Sequence, residues 1–357
     1  MKYSLIGLLL MALGGTVAAE LPVVRIGIAI DGPRQPSKET LRDSLLPHIR
    51  ELTQAKFDVR FPADKMIMAD GSVAGGKAAL DELLQDDEVD LLIAAGAIVA
   101  HDVARRGPLP KPVIAAVIFQ PQAQGVPLQG DASGVKNLSY ISFATDVRSD
   151  LQTCLDIAPF EKAAVLFNRA IGEAMPQLVE AYLKVGKELG LEGVAVPVDA
   201  SAAAVLAAMP EDVDAVFVAF PLRLPPAEFD VLVQGLIERR LPSFSAVGTQ
   251  QVEAGLLVGL HPQTDFLRLA RRIALNVQQT LLGEDPATLP VVFTRQKRVA
   301  INMATARAID TYPSWAILTE AKLLHQTVKK VDRHLTLTAA AREAIEVNLD
   351  LLASARQ

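Results

Sequence analysis

Val23-Val-Arg-Ile-Gly-Ile-Ala-Ile30, closed by Asp31-Gly32-Pro33, is the stretch whose reading decides the fold. Apolar and β-branched residues run through it almost without interruption, so a strand formed here has no face for water. Asp-Gly-Pro then turns the chain. A strand covered on both faces needs helices on both sides, and the following sequence supplies them in alternation. Leu41, Leu45, Ile49 and Leu52 recur at helical spacing, with a kink expected at Pro47. Phe57–Phe61 alternates like a strand, Ala78–Gln85 returns to helical spacing, and Asp90–Gly96 is a strand running into glycine. Val113–Phe119 is another buried strand, and Gly134–Phe143 reads as extended.

The rhythm then restarts. Asp146–Ile157 reads as helix, Lys162–Phe167 as strand, Met175–Leu189 as helix, Gly193–Val198 as strand and Ser201–Met209 as helix. Asp214–Phe220, Pro226–Arg239 and Pro242–Ala246 continue the alternation, and Asp265–Leu282 is a long helix between the short strands Gly255–Leu260 and Val291–Phe293. Two runs of βα units predict an α/β protein with two doubly wound parallel-sheet lobes.

The chain has 357 residues, enough for two ordinary domains, and 50% of them are hydrophobic. A formal net charge of −6 argues against nucleic acid as a partner, because phosphate binding needs concentrated Lys and Arg. The short basic run Arg295–Arg298 reads as a solvated turn. Lys2, the apolar run Leu5–Leu13 and the small residues Val17-Ala-Ala19 have the pattern of a secretory leader, so residues 1–19 are expected to be removed after Ala19. That places the mature protein in the periplasm. No cysteine follows the apolar run to carry a lipid, and Leu91–Ala100 is shorter than the roughly 18 residues a spanning helix needs. Cys154 is the one cysteine, so an internal disulfide is excluded and the residue reads as core.

Four ordered stretches resemble the type I periplasmic solute-binding proteins, in particular the ABC-transporter substrate-binding family of the TrpX-like kind. They are Gly134-Val-Lys-Asn leading to Ala163–Asn168, Gly255-Leu-Leu-Val-Gly-Leu260, Leu269–Leu282 with Gly283-Glu-Asp-Pro-Ala-Thr-Leu-Pro-Val-Val, and Ile301-Asn-Met-Ala-Thr-Ala-Arg-Ala-Ile. The resemblance implies that the chain crosses between lobes three times, with a hinge at the crossings and a ligand cleft between the lobes. Lobe one would hold residues 22–143 and 259–289, and lobe two residues 144–258 and 290–330. The sequence departs from the family pattern at Asp265-Phe266 and lacks an evident acidic clamp for an amino-acid ammonium group.

Open α/β sheets bind ligands beyond the carboxyl ends of their strands. Those ends give the candidate ligand-binding residues: Asp31, Gly32, Gly96, Ala97, Phe119 and Gln120 in lobe one, and Asn168, Arg169, Phe220, Pro221, Ser245 and Ala246 in lobe two. Glycine lets a ligand approach backbone N–H groups, Asn, Gln and Ser direct hydrogen bonds, and Phe supplies apolar wall. Each position could equally be an ordinary turn, edge or core residue.

Several stretches imitate chemistry. Gly71-Ser-Val-Ala-Gly-Gly-Lys77 has phosphate-loop spacing, but Ala78 stands where the Mg²⁺-binding hydroxyl belongs, so it reads as a helix start after a turn. His101-Asp102 reads as a solvated helix start, Asp86-Asp-Glu88 as an exposed helix end, and Asn276-Val-Gln-Gln279 as helix surface. No base, nucleophile or metal cluster recurs at the strand ends, so neither catalysis, a metal nor a cofactor is expected.

Residues 331–357 form a separate C-terminal tail. Leu335, Thr336, Leu337, Ala344, Asn348, Asp350 and Leu351 resemble the opening of mature TolC-type outer-membrane efflux proteins. A plain amphipathic helix is the other reading. The functional expectation is a monomeric solute-binding protein that closes on a small ligand and delivers it to the membrane component of an ABC transporter. The alternative is a ligand-sensing or adaptor component that works with an outer-membrane efflux channel. Scarce aromatics argue against sugar and for a small amino-acid-like or organic-acid solute.

Overall fold

In a computed structural model of the chain, the described residues are 20–32, 41–143, 146–246, 248–261, 264–294 and 297–326. The expected leader and the tail with its efflux-protein resemblance lie outside them, as does Arg295 of the basic run.

The strands are β1 Val23–Ile30, β2 Asp58–Arg60, β3 Met66–Met68, β4 Leu91–Ala94, β5 Val113–Phe119, β6 Leu138–Phe143, β7 Lys162–Asn168, β8 Glu192–Val198, β9 Ala215–Val218, β10 Ser243–Ser245, β11 Val258–Gly259, β12 Val292–Phe293, β13 Ala300–Asn302 and β14 Lys322–Leu324. They form two sheets. The first has the order β12-β6-β5-β4-β1-β2, with β3 also paired to β1, and the second the order β14-β13-β11-β10-β9-β7-β8. Every pairing is parallel except β11 with β13.

The helices are α1 Leu46–Thr53, α2 Val73–Gln85, α3 Ala97–Ala104, α4 Pro121–Gln124, α5 Val147–Ile157, α6 Arg169–Ala174, α7 Pro176–Glu188, α8 Ala202–Ala208, α9 Pro226–Glu238, α10 Thr249–Glu253, α11 Thr264–Leu281, α12 Met303–Ala308 and α13 Trp315–Glu320. Their placement follows from the strands. Alternate residues of a strand point to opposite faces. Ile26, Ile28 and Ile30 pack with α1 and α11 on one face of the first sheet, while Ala29 faces the core shared with α2 and α3. In the second sheet Ala163, Val165 and Phe167 face one core, and Ala164 and Leu166 face the other. Gly27 is glycine because an added Cβ would lie 3.0 Å from Val89 Cγ1 beneath α2.

The chain crosses between sheets after Phe143, after Gly259 and after Phe293. β12 pairs with β6, so Val292 and Phe293 stay with the first sheet, whereas the expected division moved residues from 290 onward into the second lobe. A π-helical turn over Leu41–Leu45 runs directly into α1, with Pro47 in the first turn of α1.

Two expected surface positions are buried. His101 is 5% exposed and sits in the second turn of α3, its Nδ1 3.0 Å from Gln124 Oε1. Asn276 is 4% exposed and donates to Ser139 Oγ at 3.0 Å, which ties α11 to β6. Both polar groups fall on the apolar faces of their helices and are carried inward with their neighbours. Gly71–Lys77 forms the start of α2, where the Ser72 hydroxyl accepts from Gly75 N at 2.9 Å. Cys154 is fully buried in the second-sheet core. Among the described residues no helix is long and apolar enough to cross a membrane.

Candidate functional site

The carboxyl ends of the two sheets meet. Phe119, at the end of β5, and Phe220, just past β9, bring their rings to 5.2 Å between centroids. Ile98 of α3 is buried in the same cluster as Ile171 of α6, across the line between the sheets.

The polar centre of this line is Asp31, which ends β1 and is 3% exposed. Its Oδ1 accepts from Val99 N at 2.9 Å and its Oδ2 from Ile98 N at 3.1 Å, so the carboxylate caps α3 from outside the helix. These amides lie at the positive end of the helix dipole, where an anion is stabilised. Gly96 makes the approach possible, because a Cβ there would fall 2.3 Å from Asp31 Cγ.

Arg223 completes the centre from the second sheet's side. Its guanidinium donates to Asp31 Oδ2 at 3.1 Å and to the Gly71 carbonyl at 2.8 Å. Burial pushes the Asp31 carboxyl above its ordinary value, while the Val99 and Ile98 amides and the Arg223 charge pull it back. Gly32 lies beside this contact, and a Cβ there would meet Gly71 Cα at 3.0 Å and Arg223 at 3.4 Å.

The remaining candidates are placed as follows. Ala97 opens α3 and packs on the cluster between the sheets. Gln120 follows Phe119 with φ of 42°, a left-handed conformation that turns the chain into α4. Pro221 continues the segment that carries Arg223, and Ala246 packs in the second-sheet core. Asn168 caps α6 through Ile171 N at 3.2 Å, and the exposed Arg169 pairs with Asp199 at 2.8 Å. Ser245 is fully buried and donates to Gln251 Oε1 at 2.5 Å. The structure thus brings Asp31, Gly32, Gly96, Ala97, Phe119 and Phe220 together and engages Asn168, Arg169 and Ser245 in bonds within the second sheet's own layer.

Sequence reasoning missed Arg223. Its signal is slight: it is the single charge in Phe220-Pro-Leu-Arg-Leu-Pro-Pro226, directly after an apolar strand. A second missed cluster lies at the crossings. Asp150 is buried in α5, with His261 Nε2 3.3 Å from its Oδ2 and Lys297 Nζ 3.8 Å from its Oδ1. Lys297 also donates to the Ser149 carbonyl at 2.7 Å. One residue near each of the three crossings takes part. Among the described residues, no group of His, Cys, Asp and Glu is arranged to hold a metal ion.

The family model for ABC transporter substrate binding protein matches residues 68–325. Solved structures share the fold at low identity. One from Streptococcus pneumoniae, an ABC domain in complex with L-Trp, has a TM-score of 0.68 and 18% identity, covering 85% of this chain and 100% of that one. A conserved domain protein from Vibrio cholerae has a TM-score of 0.67 and 19% identity, covering 85% and 99%. The ligand-free, open structure of a substrate binding protein with adhesive properties from Clostridium difficile has a TM-score of 0.55 and 16% identity, again covering 85% and 99%. No curated protein matches the chain significantly.

Proposed function

This chain belongs to the ABC transporter substrate binding protein family, and we propose that it captures a small solute between its two lobes outside the cytoplasm and delivers it to the membrane component of an ABC transporter. One observation carries this reading. The facing strand ends bring groups from both sheets to one place, with Asp31, Phe119 and Gly96 from the first and Phe220 from the second. A solute touching both sets binds the closed arrangement better than an open one, and that difference in affinity is what closure requires. Hinge bending is accommodated at the three crossings. The protein works by binding, without a chemical step.

A thermal-shift screen of small metabolites on the mature protein tests the proposal, with L-tryptophan first because a solved structure of the same fold holds it. A solute at 100 times its Kd should stabilise the protein by about 2.7 kcal/mol. The shift should shrink in Phe119→Ala, which removes a half-buried ring from the apolar wall. A screen in which no metabolite raises the melting temperature, with calorimetry equally silent, would refute it.

A further inference from the structure

Asp31 and Arg223 are 192 residues apart in sequence and belong to different sheets. The Asp31 side chain is buried and that of Arg223 half-buried, at 4% and 17% exposure. Their attraction offsets part of the hydration lost on burial, so moving the lobes apart removes that attraction and must rehydrate the guanidinium.

The two partners are held differently. The Asp31 carboxylate is fixed by the Ile98 and Val99 amides whether or not a cation is near. Arg223 stands in the irregular segment between β9 and α9 and reaches Asp31 and the Gly71 carbonyl across the line between the sheets. The carboxylate is therefore the built receptor and the guanidinium its exchangeable occupant. The amides that could have received an anionic solute are already filled by Asp31. Beside the pair the wall is apolar, made by Phe119, Phe220 and Ile98.

We infer that Arg223 is an internal stand-in for the cationic end of the solute: it latches the two lobes when the cleft holds no solute, and the solute that replaces it carries one amine or guanidinium head on an apolar body. The first half stands on the geometry alone; the second rests on the solute-binding reading above.

Small-angle X-ray scattering of the solute-free protein tests the latch. Arg223→Ala and Arg223→Gln should each show a larger radius of gyration than wild type with unchanged far-UV circular dichroism. Curves of both variants that superpose on wild type overturn the latch.

Calorimetry with phenethylamine, phenylalanine and phenylpropionate, which share one apolar body, tests the solute class. Phenethylamine should bind Arg223→Ala at least about tenfold more tightly than wild type, because no internal competitor remains, and phenylpropionate should bind neither. Tighter binding of phenylpropionate, equal phenethylamine affinity in the two proteins, or no binding of any probe overturns the cationic class. The scattering result would still decide the latch, and only a silent metabolite screen would count against solute binding itself.

Discussion

Gly96→Ala adds one methyl group and should cost far more than a methyl group usually does. Gly96 has φ of −176°, extended backbone open to any residue, so the substitution brings no backbone strain. The whole effect must be steric. The new Cβ would lie 2.3 Å from Asp31 Cγ and 2.4 and 2.6 Å from its oxygens. Contact distance for such atoms is about 3.5 Å, so the carboxylate must retreat by about 1 Å. That retreat breaks its alignment with Ile98 N and Val99 N and loosens its pairing with Arg223. Hydrogen bonds to a buried charge contribute about 1.5–3 kcal/mol each, and a disrupted buried ion pair costs about 3–5 kcal/mol. The expected destabilisation is about 4 kcal/mol. Urea denaturation followed by far-UV circular dichroism measures it; Trp315, the one tryptophan, is 84% exposed and would report poorly by fluorescence. The decisive comparison is a double-mutant cycle with Asp31→Ala. Once the carboxylate is gone the added methyl meets no obstacle, so Gly96→Ala should cost less than about 1 kcal/mol there, a coupling of about 3 kcal/mol. Equal costs in the two backgrounds would refute the view that Gly96 exists to seat Asp31.

Cys154 is fully buried, and burial followed by the Asp150 charge pushes its thiol well above the ordinary range. It should stay unreactive toward a disulfide reagent in native protein and react once urea unfolds the chain; rapid native labelling would contradict its placement. Burial holds His101 below its ordinary value of 6.5, so the neutral ring is the one the fold favours. Its contribution is therefore complete above pH 6.5 and is lost as pH falls through the lowered folded value. Between about pH 7.5 and about pH 5.5, wild type should lose more stability than His101→Gln. Asp31 acts with the opposite sign, losing its contribution as pH rises from 3.8 toward its raised folded value, and cancels when the two proteins are compared. Parallel pH profiles would exclude the His101 account. Asp150→Asn should cost about 1–2 kcal/mol by weakening the buried contact with His261, and Lys297→Met, at a side chain 36% exposed, under about 1 kcal/mol; chemical denaturation of each variant measures both.

The fold was legible because its signal is local and repeated. Val23–Ile30 cannot form a one-sided strand, and each later apolar run of that kind requires the same two-sided cover. Turn chemistry marked the ends well at Asp146 and Ser201, whose side chains accept from the third amide onward in α5 and α8. It failed where polarity and burial part company. His101 and Asn276 are polar, and only the tertiary partners Gln124 and Ser139 make their burial affordable. The lobe boundary near 290 was misplaced for a related reason, because nothing in Val292-Phe293 states which sheet edge it joins.

The candidate site divides along the same line. A strand end predicts where backbone stops, so Asp31, Gly96, Phe119 and Phe220 could be named from sequence. What fills the space beside a glycine is a nonlocal fact. Gly96 was expected to admit a ligand to backbone N–H groups, and the group admitted is the chain's own carboxylate. Asp31 is a buried acid at a strand end, with its charge already answered by Arg223. A site read from strand ends alone would receive an anion at the α3 amides. The same site read with Asp31 in place has its sign reversed, since the carboxylate presents its remaining capacity to a cation. The cationic polarity proposed for this site therefore depends on Asp31, which follows β1 and caps α3, and Asp31→Asn should weaken phenethylamine binding in calorimetry without altering either sheet.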